Sequence, residues 1–180
     1  MAGLVTVIAV LGIFQQARAF EAVFEKTPVD NFEIKTLPSV RVLETRKSGS
    51  YFDHSGDLFK RLFSYIREHD IDMTTPVQAE FEPSAMRFFL GSDDADRELS
   101  AAKEVRVREL PARTVASYGE RGGYSQENVM EARVRLEDWL SRQTGYERSG
   151  EAYGVFWSAP FVPWFLKRFE IHIPVRRLPE

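Results

Sequence analysis

The sequence contains no cysteine among its 180 residues. Disulfides, thiolate metal sites and cysteine nucleophiles are therefore excluded, and the absence leaves the redox compartment open. A basic stripe is also missing, since 24 Lys and Arg against 27 Asp and Glu give a net charge of −3, which argues against a nucleic-acid partner. No Ser-His-Asp order, paired metal ligands or Gly-rich phosphate loop is present, so the sequence predicts a protein that is not an enzyme.

The length fits one globular domain. At 43% hydrophobic residues, the chain can build one sizeable core, and we predict a single domain over residues 31–177.

The N-terminus differs from the rest of the chain because residues 2–14 are almost entirely apolar. This run is too short to span a bilayer as a helix of about 20 residues. Its length suits a signal-peptide core, and Ala17 and Ala19 supply the small residues that signal peptidase needs before Phe20. No Lys or Arg precedes the run, so an uncleaved anchor and an ordinary N-terminal helix stay open. Residues 1–19 thus predict an exported, periplasmic or membrane-anchored protein, with a cytoplasmic location as the alternative.

The first half of the chain shows two strands, a helix and a hairpin. Residues 32–37 and 40–45 alternate apolar and polar side chains as half-buried strands do. A helix with Ser55 as its N-cap follows, with apolar groups at the spacing of one helical face. Beyond the junction at residues 71–77, Pro83 and Ser84 predict the turn of a hairpin.

The second half repeats the first at a shift of 73 residues. Leu37 falls on Leu110 and Tyr51 on Tyr124, and Ser125 caps a second helix that Gly145 should end. We therefore predict an α+β fold in which duplicated β-β-α-β halves form a twisted, mostly antiparallel sheet or open barrel flanked by two helices. The interface between two such halves is a natural cleft for a small molecule.

Three stretches resemble the SOUL family, also called the haem-binding protein family. They are Phe32-Glu33-Ile34-Lys35, the I-x-M-T-x-P-V signature at Ile71 to Val77, and Phe165-Leu166-Lys167-Arg168-Phe169-Glu170-Ile171. The resemblance implies a twisted β-barrel with two helices, akin to the effector-binding domains of some bacterial transcription regulators. It also implies non-catalytic tetrapyrrole binding in a hydrophobic surface groove. Some relatives have a histidine where this chain has Thr36, so axial coordination by that route is not available.

A haem or other tetrapyrrole needs an apolar slot, cations for its propionates and, optionally, an axial ligand. Beside the first helix, Phe59 could form the slot, and Arg61 and Tyr65 could face the ligand. Met73 could be a soft axial ligand or a pocket wall, and His54 lies just before the predicted helix start. The alternatives are plain core packing for Phe59 and Met73, and solvent exposure for His54 and Arg61.

Glu170 is a candidate on the last strand. By analogy with the effector-binding relatives, its carboxylate could line the cleft and pair with a cationic ligand. The alternative is a surface charge paired with Lys167 or Arg168. His172 shares its face of the strand and should point to solvent or into the cleft.

Three functions are therefore open. The first is a tetrapyrrole-binding protein, and the second is a small-molecule effector module that uses the cleft around Glu170. The third is a membrane-proximal structural protein that uses the N-terminal run as its anchor and Phe161, Trp164 and Phe165 as an interfacial patch.

Overall fold

A computed structural model describes residues 21–179 of the chain. The predicted signal peptide or anchor at residues 1–19 lies outside this range. Within it, no helix has the length and apolar character needed to cross a membrane.

The described chain folds into one curled sheet and two α-helices. In chain order, the elements are β1 Phe32–Leu37, β2 Val40–Lys47, α1 Tyr51–Glu68, β3 Val77–Glu80, β4 Ser84–Phe89, β5 Arg106–Leu110, β6 Arg113–Arg121, α2 Gln126–Ser141, β7 Tyr146–Arg148, β8 Tyr153–Phe156 and β9 Arg168–Arg177. The two strands predicted at residues 32–37 and 40–45 and both predicted helices are present, and the hairpin turn between β3 and β4 falls close to its predicted position.

The sheet is antiparallel throughout, in the order β1-β6-β9-β8-β3-β4-β2-β5, with β7 paired to β9. The strand order is symmetric about its centre. Strands at the same distance from the two ends of the sheet come from equivalent places in the first and second halves of the chain, namely β1 and β5, β2 and β6, β4 and β9, and β3 and β8. The two halves therefore meet where Val77 of β3 lies opposite Phe156 of β8. The predicted α+β fold, a curled antiparallel sheet with two helices, is confirmed.

The helix boundaries differ from prediction at two of their ends. The N-cap of α1 is Ser50, whose hydroxyl accepts a bond of 3.3 Å from the Phe52 amide, so the predicted cap at Ser55 was wrong. The sequence pattern had placed the start at the first apolar pair, whereas Tyr51 is already buried in the first turn. His54 consequently lies inside α1 and not before it. The cap of α2 at Ser125 is confirmed, but α2 ends at Ser141, ahead of Gly145.

The sheet has two buried faces. Both helices cover one face, where Phe169, Ile171 and Ile173 of β9 join the main core. The opposite face holds a smaller cluster around Val155 and Trp157, against which Phe24 packs. Residues 21–30, which precede the predicted domain, therefore cover part of the second face.

Candidate functional site

A groove of about 720 Å³ lies between α1 and the loop that follows β8. Its lining is almost entirely apolar or aromatic and comes from both halves of the chain. The groove is lined by Tyr51, Ser55, Gly56, Phe59, Phe63, Met73, Thr75, Val77, Met86, Tyr124, Phe156, Trp157, Ser158, Ala159, Pro160, Phe161 and Lys167. Its size and character are those of small-molecule sites.

One wall of the groove is a face of α1. Gly56, Phe59 and Phe63 follow the i, i+3, i+7 spacing of one helical face, while Leu58 and Leu62 on the adjacent face are fully buried in the core. The Phe59 and Phe63 rings stack at 5.6 Å between centroids. The apolar surface of α1 is thus wider than its contact with the sheet, and the excess faces the groove.

Two tyrosines and a phenylalanine form the inner end of the groove. The Tyr51 ring stacks on Phe156 at 5.8 Å, and the Tyr124 ring meets Phe156 at 4.6 Å. Burial raises the pKa of Tyr51 and also that of Tyr124, so both phenols stay protonated at neutral pH. Tyr51 and Tyr124 are separated by the 73-residue shift of the sequence repeat, and the structure brings them to the same groove.

Lys167 is the cation of the groove lining, and its Nζ lies 5.0 Å from the centroid of the Tyr124 ring. Its Nζ forms no ion pair with any of residues 21–179. A ligand carboxylate at the mouth of the groove could therefore be neutralised here.

The residues that the sequence predicts to contact a ligand beside α1 do not all lie in the groove. Phe59 and Met73 line the groove. Arg61 and Tyr65 instead line a separate, more polar depression of about 400 Å³. There, Arg61 pairs with Asp57 at 2.8 Å, and the Tyr65 hydroxyl donates to the Ser100 carbonyl at 2.7 Å. His54 is half-buried in the first turn of α1 and lines neither space.

The sequence prediction did not include several groove residues because they come from distant parts of the chain. Tyr51, Tyr124 and Lys167 are among them. The repeat could have indicated the two tyrosines, since it aligns them. Lys167 belongs to the third stretch that resembles the family, but the sequence did not assign it to the groove.

Glu170 lies outside the groove and is 1% exposed on the other face of the sheet. Its Oε1 accepts hydrogen bonds from the Thr27 amide at 2.9 Å and from Trp157 Nε1 at 2.7 Å. Its Oε2 accepts from Lys35 Nζ at 2.8 Å and Ser117 Oγ at 3.1 Å. The alternative of a surface charge paired with a neighbouring cation was therefore wrong, because the carboxylate is buried and satisfied by other parts of the chain.

His172 completes this cluster. Its Nε2 lies 2.7 Å from Glu170 Oε2, and its Nδ1 lies 3.3 Å from the Tyr153 hydroxyl. Burial lowers the pKa of His172 despite the carboxylate beside it, which makes the ring neutral. A neutral ring fits both contacts when Nε2 donates to Glu170 and Nδ1 accepts from Tyr153.

The charges around Glu170 decide its protonation. Burial alone would raise the pKa of Glu170, but the hydrogen bond from His172 and the hydrogen bond and charge of Lys35 lower it to about 2. Glu170 and Lys35 are therefore a charged pair at neutral pH.

The N-terminal segment, residues 21–30, fills the cleft around Glu170. Phe24 meets the Trp157 ring edge-on at 5.4 Å and Phe89 at 5.8 Å, while Thr27 supplies bonds to Glu170. The Val23 amide donates to the Thr75 carbonyl at 3.1 Å. A ligand that uses Glu170 would have to displace this segment.

Within residues 21–179, no group of three or more His, Asp or Glu side chains is arranged to hold a metal ion.

A model described as SOUL heme-binding protein matches residues 16–174. The chain belongs to the SOUL heme-binding protein family. No curated protein sequence matches this SOUL-family chain significantly.

Solved structures share the fold at low identity. The crystal structure of the EcmrR C-terminal domain has a TM-score of 0.67 and 14% identity over 82% of this chain and 98% of that chain. EcmrR in its DNA complex has a TM-score of 0.66 and 14% identity over 82% of this chain, which spans 58% of the EcmrR chain. A hydrolase from Listeria innocua has a TM-score of 0.57 and 9% identity over 83% of this chain and 94% of that chain. At these identities, the similarity shows the fold alone.

Proposed function

We propose that this chain binds haem or a related tetrapyrrole, without catalysis, in the groove beside α1. The observation that supports the proposal is the groove itself, about 720 Å³ of open, aromatic-lined space in a member of this family. A tetrapyrrole offers the groove a flat apolar face to bury.

The residues present fit such a group. Phe59, Phe63 and Phe156 supply apolar contacts, and Lys167 supplies a cation for a propionate. When bound, a haem would supply redox and ligand-binding chemistry at its iron.

Axial ligation has only weak candidates in this groove. The groove has no histidine in its lining, but the thioethers of Met73 and Met86 line it. Tyr51 is the other candidate, but burial raises its pKa and so opposes the phenolate form. We therefore propose that apolar burial supplies most of the affinity, with Met73 as the candidate soft ligand.

Gly56 allows the site to be blocked without disturbing the fold. It lines the groove, and a Cβ placed there meets no atom within 4 Å. Gly56→Phe would therefore insert a ring into the groove, while removing glycine from a helix interior also favours α1. Gly145→Phe is the matched control, because Gly145 is equally open and lies outside the groove.

The test is a haemin titration of the three proteins followed at the Soret band. We expect a saturable one-to-one shift for the wild type and for Gly145→Phe, and an affinity at least about tenfold weaker for Gly56→Phe. Equal affinity in all three proteins would place the ligand elsewhere. A flat titration of the wild type would show that this chain keeps the fold without the ligand.

A further inference from the structure

The loop between β8 and β9 exposes large apolar side chains. Phe161 is 83% exposed, Trp164 70%, Phe165 53% and Leu166 48%. We call residues 161–166 the aromatic loop. Four such side chains in six consecutive residues form a patch that a soluble surface normally avoids unless it contacts a partner.

The base of the aromatic loop is fixed to the body of the protein. The Ser158 amide donates to the Tyr124 hydroxyl at 2.8 Å, and that hydroxyl donates to the Arg168 carbonyl at 2.9 Å. Within the loop, the Leu166 amide donates to the Pro163 carbonyl at 2.9 Å. The segments that flank the aromatic loop are therefore fixed to the body of the protein by specific hydrogen bonds.

Positive charge surrounds the same base. Arg168 of β9 lies directly opposite Arg121 of β6, and Lys167 is next in the chain. Within the described part of the chain, no acidic side chain forms an ion pair with any of these three cations. Like charges directly opposite each other on a sheet destabilise it, and an external anion would relieve the repulsion. This local charge contrasts with the net charge of −3 of the whole chain.

We propose that the aromatic loop docks on the surface of an anionic lipid bilayer. Trp164, Phe165 and Leu166 would enter the interfacial region, where tryptophan and other amphipathic or apolar side chains are favoured. Arg121, Lys167 and Arg168 would meet the anionic headgroups, and each cation near the surface should strengthen binding about fivefold. This docking does not depend on what the groove binds.

Docking would also place the groove beside the membrane. Phe161 belongs both to the aromatic loop and to the groove lining. An apolar ligand dissolved in the bilayer could then enter the groove without crossing water.

The test measures binding of the full chain to vesicles of phosphatidylcholine, with and without phosphatidylserine, by co-sedimentation. Trp164→Ser combined with Phe165→Ser removes two patch residues that do not line the groove. Val134→Ser is the matched control, because Val134 is 62% exposed on α2. We expect the double variant to lose about tenfold or more in partitioning onto phosphatidylserine vesicles and the control to lose nothing measurable.

Residues 1–20 are the same in every variant, so they cannot produce a difference between them. Equal vesicle binding of the wild type and the double variant would overturn the proposal. A concentration-dependent dimer that the double variant abolishes, with no vesicle binding, would assign the patch to a second copy of the chain and would also overturn it.

Brominated lipids give a second readout. Trp139 and Trp157 are half-buried and buried, so Trp164 is the tryptophan that should be quenched. Trp164→Phe should keep vesicle binding and lose the quenching. Binding without quenching in the wild type would contradict docking through this loop.

Charge is tested with Arg121→Gln. We expect about fivefold weaker binding to phosphatidylserine vesicles and no change on phosphatidylcholine alone. Arg67→Gln, an exposed arginine in the last turn of α1, is the control. Haemin affinity of the Trp164 and Phe165 double variant should equal that of the wild type, so failure of docking and failure of groove binding are distinguishable.

Discussion

The groove beside α1 and the cleft around Glu170 are neighbours, and Trp157 belongs to both. Trp157 is one of the residues that line the groove, while its Nε1 donates to Glu170 at 2.7 Å on the other face of the sheet. The groove is apolar and open, whereas the cleft is charged and filled by residues 21–30. A buried carboxylate in a curled sheet therefore does not by itself mark a ligand site, because the chain can satisfy it from its own N-terminal segment.

The two regions also contribute to stability in different ways. The cleft depends on the buried pair of Glu170 and Lys35, and loss of Glu170 would leave Lys35 with the partly exposed Glu33 carboxylate, 3.3 Å away, as its remaining ion partner among residues 21–179. The groove depends on aromatic packing around an open space, which tolerates change at the surface of that space. We expect substitutions in the cleft to affect folding and substitutions in the groove to affect binding.

The largest expected effect is that of Glu170→Gln. The change leaves the Lys35 ammonium, which is largely buried, without its closest anion, so the free energy of unfolding should fall by about 3 kcal/mol or more. Urea denaturation measures this loss. Glu151→Gln, at a largely exposed carboxylate, should change stability by less than about 0.5 kcal/mol. A Glu170 variant as stable as the wild type would show that the cleft is not held by this pair.

The second prediction separates the two regions by pH. The pKa of Glu170 is lowered from 4.5 to about 2 in the folded chain, so its contribution is complete above pH 4.5 and is lost as the pH falls towards 2. Over this pH range, protonation of Glu170 should lower the free energy of unfolding by about 3 kcal/mol. The pKa of Tyr51 is raised, so its contribution is complete below its ordinary value of 10 and is lost as the pH rises above it.

Unfolding free energies across the pH range test both statements. In a plot of unfolding free energy against pH, Glu170→Gln should reduce the loss of stability at acid pH alone. Tyr51→Phe should reduce the loss at alkaline pH alone. An acid limb unchanged in Glu170→Gln would mean that other carboxylates govern acid unfolding.

The smallest expected effect is on haemin affinity, and it distinguishes Lys167, the cation in the groove, from Arg61, the cation that the sequence predicted. Lys167→Gln should weaken haemin binding about fivefold by removing a partner for a propionate, and should not weaken binding of haem dimethyl ester. Arg61→Gln should change neither affinity, because Arg61 lies in the other depression and pairs with Asp57 and Glu104. Titrations with the two ligands measure both effects. The reverse result would favour the depression around Arg61 and Tyr65.

The fold could be predicted largely from the sequence because its signals are local and repeated. Alternation of apolar and polar residues indicated the strands, and Ser125 marked the start of α2. The start of α1 was misplaced because Tyr51 is buried by contacts with Phe81 and Phe156, which no local pattern shows.

The candidate site was less predictable for the same physical reason. Phe59 and Met73 could be identified because the helix and the family signature contain them. Tyr124, Phe156 and Lys167 reach the groove only through the pairing of β3 with β8. Residues 21–30 lack a strong periodic pattern, so nothing indicated that they fill the cleft around Glu170.

The most direct test of the central claim, that the ligand occupies the groove, is a methyl NMR spectrum of methionine-labelled protein with and without a diamagnetic metalloporphyrin. Met73 and Met86 line the groove, whereas Met130 packs on the core from α2 and serves as an internal control. We predict large shifts of the Met73 and Met86 methyl signals and a much smaller shift of the Met130 signal. Saturable binding that leaves the Met73 and Met86 signals in place would contradict the account.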